Sequence, residues 1–284
     1  MTMGTKTWHL ALVIVLMIIL NLSTISRVDG EQQVPCYFIF GDSLLDNGNN
    51  NALQTNVKAN YLPYGIDFPT GPTGRFSNGR NIADITAELM GFVEYIPSFA
   101  TASCREILKG VNYASGGAGI RDETGQNLTL YSYGARKVAL FGIGPIGCTP
   151  ANIATYDTNG SLCVDFINKA VQEFNTRLKT LVDNLNHNLQ DAKFIYVNVY
   201  GISSGPLAGL QGPNPCCSVA NIANNGGILT CIPFSPPCPV RALEVFYDAT
   251  HPTEAANLVV AGRSYVSLLP SDTHPIDIRQ LARL

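Results

Sequence analysis

Apolar residues run almost unbroken from Val34 to Phe40, and the run stops at Gly41. The nine residues that follow hold two Asp, three Asn and Ser43. Two more apolar runs, "KVALFGI" from Lys137 and "KFIYVNVY" from Lys193, share this character. Near-continuous apolar stretches of this length predict strands buried on both faces of a parallel sheet. Between them the period changes. Ile167, Val171, Phe174, Leu178, Leu181, Leu185 and Leu189 recur every third or fourth position after Val164, which predicts a long helix with one apolar stripe. "NIADITAELMG" predicts a shorter helix stopped at Gly91. A last helix is predicted to begin in "HPTEAANLVVAGRSYVSLL", with Pro252 at the first helical position and Glu254 at its positive end. Strands alternating with helices imply a layered α/β fold. In such a fold ligands bind beyond the carboxyl ends of the strands, where Gly41 to Asn50 falls.

With 284 residues, 46% of them hydrophobic, the chain can bury a large core. Its net charge of -3, with scattered Lys and Arg, offers no footprint for phosphate backbones, so no nucleic-acid partner is expected. Lys6 followed by an apolar run from Leu10 to Leu20 and by small residues at Val28 and Gly30 reads as a secretory signal over residues 1–30. The run is short for a membrane span, so no transmembrane segment is expected after processing. Residues 31–284 show no repeat or linker and are read as one domain.

All eight cysteines lie beyond residue 30, and an even count in a secreted chain predicts disulfides. Cys148 and Cys163 flank one loop, and Cys216, Cys217, Cys231 and Cys238 crowd another, so local bridges are expected. Zinc is the rival reading, but neither cluster has paired CxxC spacing or a histidine. Sequons at Asn127 and Asn159 fit glycosylated surface loops. The Asp/Asn cluster does not follow the EF-hand spacing, because position 44 is Leu.

For Ser43 to act as a nucleophile it needs a base, and three histidines lie beyond the leader. His187 sits off the apolar stripe of the long helix, and His274 lies in "SDTHPIDI", where nothing nearby suggests chemistry. His251 abuts a helix start and follows Asp248 by three residues, so Asp248 can supply the carboxylate that a Ser-His-Asp arrangement needs if the turn folds its side chain back. Taken alone, this spacing is also common helix-capping decoration. The GxSxG elbow is absent, since Leu45 stands where the second Gly is needed. Arg75 and Arg80 in "PTGRFSNGR" read as solvated charges on a turn rather than substrate contacts.

"FIFGDSLLDNGNN", "PTGRFSNGR", "GVNYASGGAGI", "ARKVALFGIGPIGC" and "FYDATHPTEAAN" occur in this order and resemble the plant GDSL esterase/lipase family of the SGNH hydrolase superfamily. The resemblance implies a three-layer α/β/α, flavodoxin-like fold and a secreted, extracellular esterase that hydrolyses small-molecule or lipid acyl esters without a cofactor. It implies Ser43 as nucleophile, His251 as base and Asp248 as the acid that orients it. It also implies an oxyanion hole built from the backbone N–H of Ser43 and of Gly117, with Gly116 beside it. The family's third block, GxND, whose Asn completes that hole, occurs nowhere in this chain. Family chains carry several tens of residues more between "GGAGIRDETGQN" and "LYSYGARKVALF", so the sheet is expected to be incomplete, with an internal deletion near 120–136. A skipped exon or a faulty gene model would leave this signature. The alternative reading is a catalytically impaired isoform that binds lipid or carbohydrate.

Overall fold

The computed structural model describes residues 31–119, 131, 134–156, 158, 160–205, 210–219 and 230–284. The leader, both sequon asparagines and most of the junction at 120–136 lie outside the described residues. Two of the three apolar runs form β1 (Lys137–Phe141) and β2 (Lys193–Val197), which pair in parallel with Lys137 opposite Lys193. The helices that pack on them are α1 (Ile82–Leu89), α3 (Asp165–Asn188), α5 (Glu254–Tyr265) and α6 (Ile278–Arg283); α2 (Pro150–Thr155) and α4 (Val199–Ser204) are single short turns.

Strand alternation divides the packing into layers. Ile195 and Val197 of β2, with Ala139 and Phe141 of β1, face a cluster that holds Ile82 and Ile85 of α1, Val260 and Ala261 of α5, and Ile278 and Leu281 of α6. Phe194 and Tyr196, with Val138 and Leu140, face the other way onto Val182, Leu178 and Leu185 of α3. The result is an α/β fold with helices on both faces of the sheet. β2 is buried on both faces, as its composition predicts. Among the described strands β1 stands at the sheet's edge, and it is only partly buried. On α3, Val182 rather than Leu181 completes the inward stripe; Val182 is fully buried and Leu181 is exposed, because the 3.6-residue period carries the stripe one position onward.

Three expectations need correction. The sheet is mixed, not wholly parallel: β5 (Thr273–His274) runs antiparallel to β2. The chain reverses after α5 in a turn closed by the Asp272 N–H on the Leu269 carbonyl, and without a crossover it re-enters from the opposite end. Val34–Phe40 is not a ladder strand but makes one parallel bridge, Ile39 to Asn112. Tyr37 and Ile39 donate to the carbonyls of Lys109 and Val111, and Tyr113 and Ser115 donate back to Ile39 and Gly41. Among the described residues the segment therefore has a backbone partner on one side only, and Phe38 and Phe40 stand at 44% and 40% exposure. In α5, Thr253 caps the N-terminus by accepting from the Ala256 N–H, and Pro252 stands one place outside it, in a bridge to Phe246.

A second, two-stranded parallel sheet joins β3 (Gln211–Pro215) to β4 (Glu244–Phe246). It leads into a cluster of Tyr64, Phe76, Tyr247 and three half-cystines. The bridges are local, as expected: Cys148–Cys163, Cys216–Cys238 and Cys217–Cys231. Cys36 and Cys104 are free thiols. Among the described residues no helix is long and apolar enough to cross a membrane.

Candidate active site

Gly41 ends the extended segment, and the next residues wind into a tight turn in which Leu45 and Asp46 donate to the Asp42 carbonyl. The Asp42 side chain accepts from the Leu44 N–H at 2.9 Å, so local hydrogen bonding holds the turn that presents Ser43. The opposite wall comes from β4. The chain runs through Tyr247 and Asp248, turns, and returns with Tyr247 N–H on the His251 carbonyl and Thr253 N–H on that of Val245. Within this turn Asp248 Oδ1 accepts from the Thr250 and His251 N–H groups at 2.8 and 2.7 Å, folding the carboxylate back under the ring.

The three residues singled out from opposite ends of the chain meet here. His251 Nε2 lies 2.8 Å from Ser43 Oγ, and His251 Nδ1 lies 2.7 Å from Asp248 Oδ2. An ionised carboxylate only accepts, so Nδ1 carries the hydrogen and Nε2 is left to accept from the serine hydroxyl. Asp248 is fully buried. Burial pushes its carboxyl up, but the imidazole charge, the imidazole hydrogen bond and the Tyr64 hydroxyl outweigh burial and hold it below the usual carboxylate range. Neither His187 nor His274 joins them: His187 is exposed, and His274 Nε2 pairs with Asp183 at 2.6 Å on the surface.

Gly117 has φ +85°, in the left-handed region, and among the described residues no atom lies within 4 Å of where its Cβ would be. Gly116 plays a different part. Its N–H donates to Asp46 Oδ2 at 2.9 Å, and an added Cβ would meet Asn50 Nδ2 at 2.7 Å and Val57 at 2.9 Å. Asn50 also donates to the Gly116 carbonyl and accepts from Ser115 Oγ, while Asn49 donates to the carbonyls of Asn112 and Ala114. The polar residues after Ser43 are thus a clamp that holds the glycine loop beside the serine turn. Asp46 is fully buried, and burial pushes its carboxyl up against these hydrogen bonds.

"PTGRFSNGR" had suggested two solvated charges, but Arg75 is buried and Arg80, though partly exposed, is held in ion pairs. Arg75 is 5% exposed, forms two 2.6 Å bonds to Asp84 at the cap of α1 and lies over the Phe68 ring. Arg80 pairs with Glu88 at 2.7 Å and with Glu254 at the start of α5. Both tie the loop to helix ends, a use that no local pattern reveals. The sequence reading also missed Tyr64, Asp46, Thr250 and Phe76. Phe76 packs against the His251 ring in a tilted pair, centroids 4.8 Å apart, and Thr250 Oγ1 lies 3.1 Å from Nδ1. A cavity of about 360 Å³ lies under Asn47, Tyr95 and Ser98, and neither Ser43 nor His251 lines it. Among the described residues no cluster of three or more His, Cys, Asp or Glu is arranged to hold a metal ion.

Comparison with known proteins gives this arrangement a setting. The model of the family described as GDSL-like Lipase/Acylhydrolase matches residues 37–133 and 122–263, in two stretches that overlap at the junction. A GDSL esterase/lipase of Arabidopsis thaliana is 41% identical, covering 98% of this chain and 99% of its own. That alignment spans 366 positions, more than the 284 residues available, so part of it is gap on this side. A second GDSL esterase/lipase from the same plant is 40% identical over 92% of this chain and 95% of its own, and a third is 38% identical over 95% and 98%. The chain therefore belongs to the GDSL lipase/acylhydrolase family and is a carboxylic ester hydrolase.

Proposed function

We propose that this esterase works through an acyl-enzyme on Ser43. His251 Nε2 takes the hydroxyl proton as Ser43 Oγ bonds to the ester carbonyl carbon, and the carbonyl electron pair moves onto oxygen. The N–H groups of Ser43 and Gly117 hold that oxyanion. Collapse breaks the bond to the alcohol, which leaves with the proton from Nε2. Water then gives its proton to Nε2 and attacks the acyl carbon, and Ser43 recovers its hydrogen as the acid departs. Asp248 keeps the proton on Nδ1 and stabilises the imidazolium throughout. The observation that carries this reading is the 2.8 Å separation of Ser43 Oγ from His251 Nε2, with Asp248 behind it.

An internal segment carrying the GxND block is absent on this reading, supported by the surplus of alignment positions over residues. Loss of one oxyanion donor lowers kcat by about a hundred- to a thousandfold. The enzyme is then slow, which keeps a binding role for lipid or carbohydrate as the second reading. Three disulfides and the apolar leader support secretion to the extracellular space. The purified chain is expected to hydrolyse p-nitrophenyl acetate and to be labelled at Ser43 by a fluorophosphonate. The Ser43→Ala variant is expected to do neither; equal hydrolysis by both proteins overturns the assignment, and a parent that hydrolyses nothing and resists labelling favours the binding role.

A further inference from the structure

Asp248 has a second buried partner. Tyr64 Oη donates to Asp248 Oδ2 at 2.6 Å, and the same phenol oxygen accepts from the Cys231 N–H at 3.0 Å. Tyr64 is fully buried, with edge-on contacts to Tyr61, Phe76 and Tyr247. Cys231 is itself tied to Cys217. Because its N–H is a donor, the Cys231 contact obliges the phenol to spend its one hydrogen elsewhere, and Asp248 is the acceptor in reach. The phenol hydrogen is thereby aimed at the carboxylate before any substrate arrives. Burial and the nearby Asp248 charge keep the phenol from ionising at any working pH.

We propose that Tyr64 is a positioning residue for ester hydrolysis, acting through Asp248. The inference rests on the Ser43, His251 and Asp248 roles proposed above. Asp248 Oδ1 is held by two backbone N–H groups, but Oδ2, the oxygen nearer Nδ1, has Tyr64 as its other donor. Tyr64 does two things there. It fixes the carboxylate plane against the imidazole, and it draws off part of the negative charge, so the imidazolium is held less tightly than by an uncapped carboxylate. The first effect favours turnover, and the second lessens the charge that the imidazolium faces.

The test uses the full mature chain with p-nitrophenyl acetate, rates being normalised to the fraction of protein labelled at Ser43. Tyr64→Phe keeps the ring and removes the donor. It is expected to lower kcat about ten- to a hundredfold with KM little changed, and to move the acid limb of kcat/KM to higher pH. A 3-fluorotyrosine placed at position 64 keeps the volume and donates more strongly, so the acid limb is expected to move to lower pH; this arm stands even if Tyr64→Phe fails to fold. A packing role for the ring would cost melting temperature and labelled fraction but leave the limb unmoved. Unchanged limbs in both proteins, with Ser43→Ala inactive, overturn the Tyr64 inference alone. Activity surviving in Ser43→Ala overturns the triad reading beneath it. If parent turnover is too slow to follow, the pH dependence of fluorophosphonate labelling is read in its place with the same expectations.

Discussion

Two adjacent glycines show how much a single position can demand. Gly116 has no room for a methyl group, since Asn50, Val57 and Phe76 close on its Cβ direction, whereas Gly117 has room but a left-handed backbone. The costs therefore differ in kind. Gly117→Ala is expected to destabilise by about 1–2 kcal/mol, the strain of a side chain in that region. Gly116→Ala forces the Asn50 clamp apart, and overpacking of this sort costs about 1–3 kcal/mol on top of the hydrogen bonds it breaks. Urea unfolding is expected to rank Gly116→Ala as the more damaging, with esterase activity following the same order. A reversed ranking would show that the clamp is not rigid. At this scale Ser43, Asp248 and His251 were readable as candidates only together, because each local string alone has a bland reading and their joint occurrence gives them weight. Tyr64 and Asp46 were not, because a tyrosine in "NYLPYG" or an aspartate two residues past a leucine carries no local mark of its partner.

Among the elements, α1 and α5 hold the site by their first turns. Asn81 caps α1 in a full capping box with Asp84, and its amide also donates to the Leu45 carbonyl at 3.1 Å, two residues beyond Ser43. Asn81→Ala is expected to cost about 1 kcal/mol as a cap, and more because the link to the serine turn goes with it. The check is a thermal melt beside a kcat measurement: a stability loss with kcat per active site untouched would show that the link does not position Ser43. At α5, Glu254 follows its cap and pairs with Arg80, so the loop of "FSNGR" is fastened to the helix that begins just after His251. Helix positions followed from apolar periodicity and cap residues. Strand positions followed only where burial was two-sided. Val34–Phe40 has the composition of an inner strand yet makes one bridge, since pairing needs a neighbour and a sequence run does not contain its neighbour.

Over the whole molecule, acid and exposed surface set the limits. Asp67 is held below the usual carboxylate range by its hydrogen bonds to Arg241. For Asp272 and Asp248 burial acts upward but is outweighed, by Arg263 and two backbone N–H groups in one case and by His251 and Tyr64 in the other. A depressed carboxyl adds stability that is present above its unfolded pKa, about 3.9, and is lost as pH falls through the folded value. Asp46 is raised and acts in the opposite sense, its ionisation opposing the fold until acid relieves it. The melting temperature is expected to hold through neutral pH and to fall below about pH 4, and Asp67→Asn to flatten part of that fall. A melting temperature that rises on acidification would show that Asp46 dominates. Phe38, Phe40, Phe99 and Leu108 stand 44%, 40%, 57% and 78% exposed beside the one-sided Ile39 segment, with Phe40 and Phe99 both against Tyr113. Such a patch binds hydrophobic dyes. Bright dye fluorescence from the native chain, quenched in a Phe38→Ser and Phe40→Ser double variant, is the expected outcome; equal fluorescence from both would place the exposed apolar surface elsewhere.

What the sequence determined by itself was everything carried by near neighbours: the period of α3, the start signals of α5, the apolar identity of β1 and β2, the local character of the disulfides though not their partners, and the side chains proposed for chemistry. What the tertiary structure alone decided was who meets whom at a distance. Ser43 stands 208 residues from His251, and Tyr64 stands 184 from Asp248. Short-range patterns fix which face of a helix or strand is apolar, since that depends on period. Hydrogen-bond partners across the fold depend on how layers pack, and a buried donor or acceptor reveals its partner only when burial removes water as the alternative.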